Sequence, residues 1–442
     1  MASLLTKNIK ILIAKQFYSL LDVAANSYLP SDKHSYVYAM LGKQLAWNSG
    51  AETPATPLET DNYIFGLYKR GIVAKQITLE NASFVVERIN WTSGTVYNTY
   101  ESTSNFYVLN SRDQVFKCLF NNFGAASTDE PQLALSTTSL EEPYTMTSDG
   151  YKWKYLYTIN SQSKQKFLSV DWMPVYGNRF VQAAAIPGSI DIVTVTNSGN
   201  NYIGGTTQNI ITITGDGSGA ILKANVTSSG HVNDIVIQDR GINYTTATLS
   251  FTDVSGGAGT GAAATVSIAP HDGHGSDPIY ELSASTIMFN VDFNQDESGA
   301  VPTDNDFREI SLINNPYNFG TEQLATDTLY TLYTRIKVAP GVGDFNNDEV
   351  VYQGTTFEDA TFTADVISFD EVENVLYVNN IFGNLQSNQA IKGYSTSSIR
   401  VVTGITDPTL HLYSGKVLYI SDKLPIMRDP SQTERIRFIL SF

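Results

Sequence analysis

The residues able to do chemistry gather in a few places. His271 and His274 stand three apart in the run HDGHGSD, beside Asp272 and Asp277. A metal site needs three or four such ligands converging on one point. Here they lie in a Gly-rich stretch that reads as a solvated linker, and a motif without its structural context defines no site. Asp344, Asn346 and Asp348 match the first half of a calcium loop, but the sixth position is Glu349 and the twelfth is Thr355. Those are the places where such a loop needs Gly and Glu. The stretch therefore reads as a polar turn before a strand at Val350.

Carboxylates cluster at Asp304, Asp306 and Glu309, and again at Asp370, Glu371 and Glu373. Glycoside hydrolysis needs two of them facing across a cleft, one with a raised pKa. The chain holds 44 Asp and Glu, so close pairs arise by density, and solvated turns account for them. The run GDGSGA at 215–220 lacks the Lys-Ser/Thr of a phosphate loop and precedes a strand. Cys118 is the single cysteine and sits in an apolar strand, a core setting that permits no intrachain disulfide. No catalytic, cofactor-binding or metal-ligating residue is assigned.

The elements around these residues are mostly strands. Residues 4–24 are the clearest helix, with Leu5, Ile9, Leu12, Ile13, Phe17, Leu20, Leu21 and Ala24 at helical spacing. A second amphipathic stretch runs from Asp61 to Arg70. Strands are expected at 35–40, 73–79, 84–89, 106–109, 115–120 and 153–159, and further strands at 279–291, 307–316, 329–338, 410–413 and 416–420. The chain ends on an alternating segment with Ile436, Phe438, Leu440 and Phe442 on one face and Arg435, Arg437 and Ser441 on the other. That period predicts a terminal strand paired in the core, delivered by a turn between Pro425 and Pro430.

An internal repeat stands out. IVTVTNSGNNY at 192–202 answers IVIQDRGINY at 235–244, and GSGA at 217–220 answers GTGA at 259–262. Gly199/Gly241, Asn201/Asn243, Tyr202/Tyr244 and Gly217/Gly259 share one offset of 42 residues. One offset across two motifs marks a duplication. Each copy reads as strand, Gly-Asn-Tyr turn, strand, Gly-rich tip, strand, and two copies close one small sandwich or barrel.

Composition narrows the class of partner. The chain has 442 residues and a net charge of −16. That balance argues against nucleic acid and against an anionic membrane surface, because both need clustered cations. No apolar run reaches the length of a membrane-spanning helix, and no secretory leader is read at the N-terminus. With 25 Tyr and 21 Phe the chain is rich in residues suited to contact surfaces. The expected fold class is mainly β: a multidomain β-sandwich or barrel with a few helices, the N-terminal one included, plus two inserted small β domains. The expected division is a discontinuous core of 1–95, 278–340 and 408–442, an inserted β domain at 96–187, the repeat insert at 188–277, and a second small insert at 341–407.

Several collinear blocks carry a family resemblance. They are Leu424-Pro425-Ile426 with Ser431-Gln432-Thr433-Glu434 and the closing FILSF, FREISLINNP at 307–316, and DGYKWKYLYTI at 149–159. YVYAMLGKQLAWN at 36–48 and VVERINWTSGTVY at 85–97 fit in the same order. Together they resemble the baseplate wedge protein conventionally numbered eight of contractile-tailed, T4-like bacteriophages. The resemblance covers about 1–187, 278–335 and 408–442, and the two inserts depart from it. It implies a non-enzymatic structural protein of the virion tail: a homodimer of β-sandwich subunits contacting other wedge subunits, without nucleic acid, membrane or small-molecule substrate. The competing expectations are a receptor- or glycan-binding tail module and a polysaccharide-degrading tail enzyme.

Overall fold

The computed structural model describes residues 4–26, 28–30, 33–44, 53–134, 136, 140–203, 210–252, 254, 259–294, 297, 302, 305–428 and 433–442. Asp304, Pro430, Ser431 and Gln432, all singled out above, and residues 45–48 of the 36–48 block lie outside the described residues. The protein is mainly β. In chain order its first strands are β1 Val37–Gly42, β2 Gly71–Ile77, β3 Ala82–Glu87, β4 Tyr107–Leu109, β5 Gln114–Phe120, β6 Thr145–Met146, β7 Lys152–Thr158 and β8 Trp172–Val175. The repeat supplies β9 Ile190–Asn200, β10 Ile210–Gly215, β11 Ser218–Val226, β12 Val232–Ile242, β13 Ala247–Ser250 and β14 Thr260–Ile268. There follow β15 Thr286–Phe293, β16 Asn305–Asn314, β17 Leu329–Thr331, β18 Thr334–Val338, β19 Val350–Gln353, β20 Phe362–Asp370, β21 Val375–Gly383, β22 Ala390–Gly393 and β23 Ile399–Thr406. The last two are β24 Lys416–Arg428 and β25 Glu434–Ser441. The longer helices are α1 Lys7–Ser19 and α2 Asp61–Arg70.

The chain forms two compact units, one of Met1–Ala14, Ser83–Met288 and Leu440–Phe442, the other of Lys15–Ala82 and Phe289–Ile439. The second unit holds an antiparallel sheet of order β17-β2-β1-β16-β24 and a closed barrel of order β18-β21-β20-β19-β22-β23. Both faces of β1 and most of β16 are buried, so these strands read as apolar runs. Tyr38, Met40, Leu67, Tyr330 and Ile313 form the sheet core. Ile336, Val351, Phe362, Leu376 and Val402 fill the barrel.

Three expectations change here. Pro425 does not start a turn; it lies inside the 13-residue β24. The strand is the last in its sheet and the ladder with β16 shifts register between Phe307 and Glu309, opposite Ile426 and Asp422. An edge position beside a bulge is where a strand tolerates a residue with no N–H. The stretch 410–413 is not a strand: Leu410 makes one isolated bridge and Tyr413 turns through φ 65°. The start of 279–291 is a helical turn, Pro278–Glu281, because Asp277 caps it and Pro278 occupies a first-turn position. The terminal segment is a strand, β25, and Phe438 stacks on Phe289 and Tyr419 at centroid distances of 4.9 and 5.7 Å.

In the first unit β4, β5, β7 and β6 pair in that order, and Trp153 and Tyr151 stack 5.4 Å apart in their core. The repeat forms its own cluster around Ile190, Leu222, Val232 and Phe251. Its ladders cross over. β9 pairs with β14 and β12 pairs with β11, so the first strand of each copy lies against the third strand of the other. Thr260↔Asn200 corresponds to Ser218↔Ile242, and Ile268↔Ile190 to Val226↔Val232, with both register shifts at equivalent places. β10 and β13, the second strands, pair with each other.

The repeated Gly and Tyr explain this symmetry locally. Gly199 and Gly241 turn through φ 59° and 61°, and Asn197 and Asp239 each accept from the glycine N–H. The Tyr two residues beyond the turn's first Asn or Ile folds back over the glycine of the opposite strand. A Cβ at Gly259 would fall 2.0 Å from the Tyr202 ring, and one at Gly217 2.4 Å from the Tyr244 ring. Gly217→Ala and Gly259→Ala should each destabilise the protein by about 1–3 kcal/mol, read by urea unfolding. Gly404→Ala, whose Cβ meets nothing closer than 3.5 Å, should change it by less than about 0.5 kcal/mol.

Candidate interaction surface and buried ionic clusters

The helix α1 seats itself on the unexpected face. Ile11 and Ala14 are buried, and beyond the helix so is Leu21. Ile9, Leu12 and Ile13 lie on the opposite side, 41, 48 and 42% exposed, and Leu4, Leu5 and Leu20, just outside the helix, are exposed as well. Spacing of three and one places these three residues within about a third of the helix circumference. The periodicity is as expected; its burial is not. Two aromatic contacts fix the buried side: Phe17 meets Phe289 edge-on at 6.2 Å, and the Tyr18 hydroxyl donates to the Ala82 carbonyl. An exposed apolar stripe flanked by Lys10 and Lys15 has the character of a contact site.

The residues singled out for chemistry are dispersed. His271 and Asp272 are exposed and touch only each other at 3.0 Å among the described contacts. His274 is buried, so the stretch is not a solvated linker. Asp344 pairs with Arg400 at 3.0 Å and Asp348 with Lys43 at 2.7 Å. Glu349, the residue that breaks the calcium pattern, is buried and accepts from Asn346, Ser395 and Thr396 backbone N–H groups. Its carboxylate closes that loop onto the barrel. Asp370 caps the turn between β20 and β21 through the Val372 and Glu373 N–H groups. Asp216 in GDGSGA accepts from the Thr245 hydroxyl and from the Thr246 and Thr245 N–H groups, which together hold its carboxyl below the usual range. Burial pushes the Cys118 thiol up, well out of the nucleophile range.

Sequence reasoning missed the buried cations. Lys117 and Lys154 occupy strand positions that look solvent-facing, yet they are 1 and 2% exposed. Lys117 Nζ lies 2.8 Å from His274 Nδ1 and donates to the Glu281 carboxylate. Glu281 Oε1 in turn accepts from the Gly275 and Asp277 N–H groups. Tyr100 stands edge-on to His274, 4.6 Å between centroids. A cleft of about 540 Å³ opens beside this knot, lined by Tyr100, Lys117, Asp272, Tyr280 and Glu281. Burial lowers Lys117 against the pull of Glu281, and lowers Lys154 to about 8 against the pull of Asp191. Lys154 donates to the Glu142 carbonyl. The chemistry of the knot is that of a fastener: it pins the 270–281 stretch to β5 and β7. The signal was available only as Lys at alternating positions of an otherwise aromatic strand.

In the second unit Glu309, 2% exposed, takes a bidentate grip from Arg70 at 2.9 and 2.7 Å. Burial pushes its carboxyl up, opposed by Arg70. Asp306 and Glu309, neighbours in sequence, thus serve different cations, and no pair of carboxylates faces across a cleft among these two. No family model matches the chain, and no curated protein is similar to it.

Burial holds the His274 imidazole well below its ordinary value, with Lys117 and Lys154 acting in the same direction. The unfolded chain therefore binds the proton first. Stability should fall as pH drops below about 6.5, by up to about 1.4 kcal/mol per pH unit from this group. Urea unfolding at pH 7, 6 and 5.5 should show that slope in the native chain and a shallower one in His274→Asn; equal slopes would assign the acid limb elsewhere.

Proposed function

We propose that this chain is a structural subunit of a phage tail baseplate wedge, working through docking to a second copy of itself and to other wedge subunits. The observation that carries the reading is the uncovered apolar face of α1. A helix spends its best amphipathic stripe on solvent only if something else covers it in the working state. The motif blocks at 85–97, 149–159 and 307–316 add support, because they contribute to β3, β7 and β16, each of which has a strand on both sides in its sheet. The acidic balance favours solubility before assembly and disfavours nucleic acid. No helix among the described residues is long and apolar enough to cross a membrane.

One observation favours the glycan-binding alternative. On the barrel, Tyr394 is 60% exposed and packs 4.6 Å from Phe357, which meets Tyr352 at 5.6 Å. Aromatic ledges of this kind suit sugar faces, and a glycan array probed with the full chain tests it.

The docking reading is tested on α1. The native chain should be a dimer by light scattering and should be retained in purified tails. Ile9→Asp with Leu12→Asp should preserve the circular dichroism, weaken self-association at least tenfold, and deplete the chain from assembled baseplates. A native chain that is monomeric at high concentration and absent from tails would defeat the reading.

A further inference from the structure

A second buried lysine sits in a different setting from Lys117. Lys43 follows β1 and Asn305 opens β16, the neighbouring strand of the same sheet. Both are buried, at 8 and 2% exposure, as is Asp306 at 7%. Lys43 Nζ donates directly to Asn305 Oδ1. The Asp306 carboxylate stands beside the same nitrogen, Oδ1 at 2.9 Å. Its other oxygen is held by Arg308 Nε at 2.7 Å, so the carboxylate cannot swing away. The carboxamide is gripped at both ends: Oδ1 also accepts the Asp306 backbone N–H at 2.9 Å, and Nδ2 donates to the Ile367 carbonyl at 2.9 Å.

An amine, a carboxamide and a carboxylate meeting in a water-poor strand interior are the reactants and the base of an amide exchange. We propose that Lys43 and Asn305 condense into a side-chain amide that cross-links β1 to β16. Lys43 Nζ passes one proton to Asp306 Oδ1, and its freed lone pair attacks Asn305 Cγ. Charge develops on Oδ1, where the Asp306 N–H already points. The nitrogen then loses a second proton while Nδ2 gains one, the Cγ–Nδ2 bond breaks, and ammonia leaves. Ammonia takes the proton held on Asp306, which restores the carboxylate. Ammonium and carboxamide become a secondary amide and ammonium, and no oxidant or reductant enters. Asp348, half-exposed and 2.7 Å from Nζ, marks the solvent side by which the ammonium departs. The three side chains are held at hydrogen-bond distance by the sheet, which supplies the proximity such a slow reaction needs.

The same contacts would also hold an unreacted ammonium among three acceptors, and mass separates the two. Under denaturing conditions the purified full-length chain should weigh about 17 Da less than its sequence requires. A digest should contain one branched peptide joining Lys43 to Asn305. Lys43→Arg and Asp306→Asn chains should show their full sequence masses, and Asn305→Asp should lose about 18 Da, as water leaves in place of ammonia. A folded native chain at full sequence mass, with separate Lys43 and Asn305 peptides after prolonged incubation, overturns the proposal. That readout holds even if a variant fails to fold.

Discussion

The second unit depends on one buried ion pair. Glu309 lies in β16, the strand that joins β1 on one side to β24 on the other. A carboxylate there, 2% exposed, would cost several kcal/mol if left alone. Arg70 meets it with two parallel hydrogen bonds, and Arg70 is the last residue of α2. The pair therefore fixes where α2 ends and where β2 begins, at Gly71. It also dictates Gly42 on the adjacent strand, since a Cβ there would crowd Glu309 Oε2 at 3.2 Å and the Arg70 carbonyl at 3.3 Å. One charge buried in a central strand thus sets a helix terminus, a strand start and a glycine, all distant in sequence. Tyr63 extends the arrangement, its hydroxyl donating to Asp422 of β24 at 2.5 Å.

Much of this was legible in the sequence, and the failures have a common cause. The periods of α1, α2, β5, β7 and β25 were plain, because a local pattern determines local structure. What a pattern cannot say is which surface covers it. The α1 stripe is amphipathic by any reading, yet Ile11 and Ala14 take the buried side. Lys154 alternates with Trp153 and Tyr155 as an outward residue should, but β7 is covered on both faces. Its neighbour Lys117 finds Glu281 and His274 about 160 residues away, a distance no motif spans. Pro425 misled for a related reason: proline is barred from a central strand and permitted at an edge bulge, and only the sheet order separates these cases.

Buried lysines recur as a construction device. Lys117 and Lys154 each bring an amine into a strand interior, Lys117 meeting the Glu281 carboxylate from far along the chain and Lys154 the nearer Glu142 carbonyl. Removing one partner would strand a charge, so these clusters select one register over its neighbours more than they add net stability. That selectivity matters where the described residues alone form 25 strands, since slipping any ladder by one residue would invert its faces.

The repeat makes the same point through symmetry. Because the first strand of each copy pairs with the third strand of the other, the two longest ladders run between copies, and the short β10–β11 ladder is the one formed within a copy among the described residues. Half of the module would leave two long strands with open edges. The conserved register of the two crossed ladders, down to the position of each bulge, is what two identical chains exchanging strands about a two-fold axis would produce. Joining those chains in tandem then yields this fold with no change of pairing, and the short 227–231 connection supplies the join. The later divergence is also where symmetry predicts it. Gly199, Gly217, Gly241, Gly259, Tyr202 and Tyr244 stay fixed because ring and backbone fill the same space. Meanwhile the solvent-facing positions of β11 and β12 differ freely from those of β14 and β9.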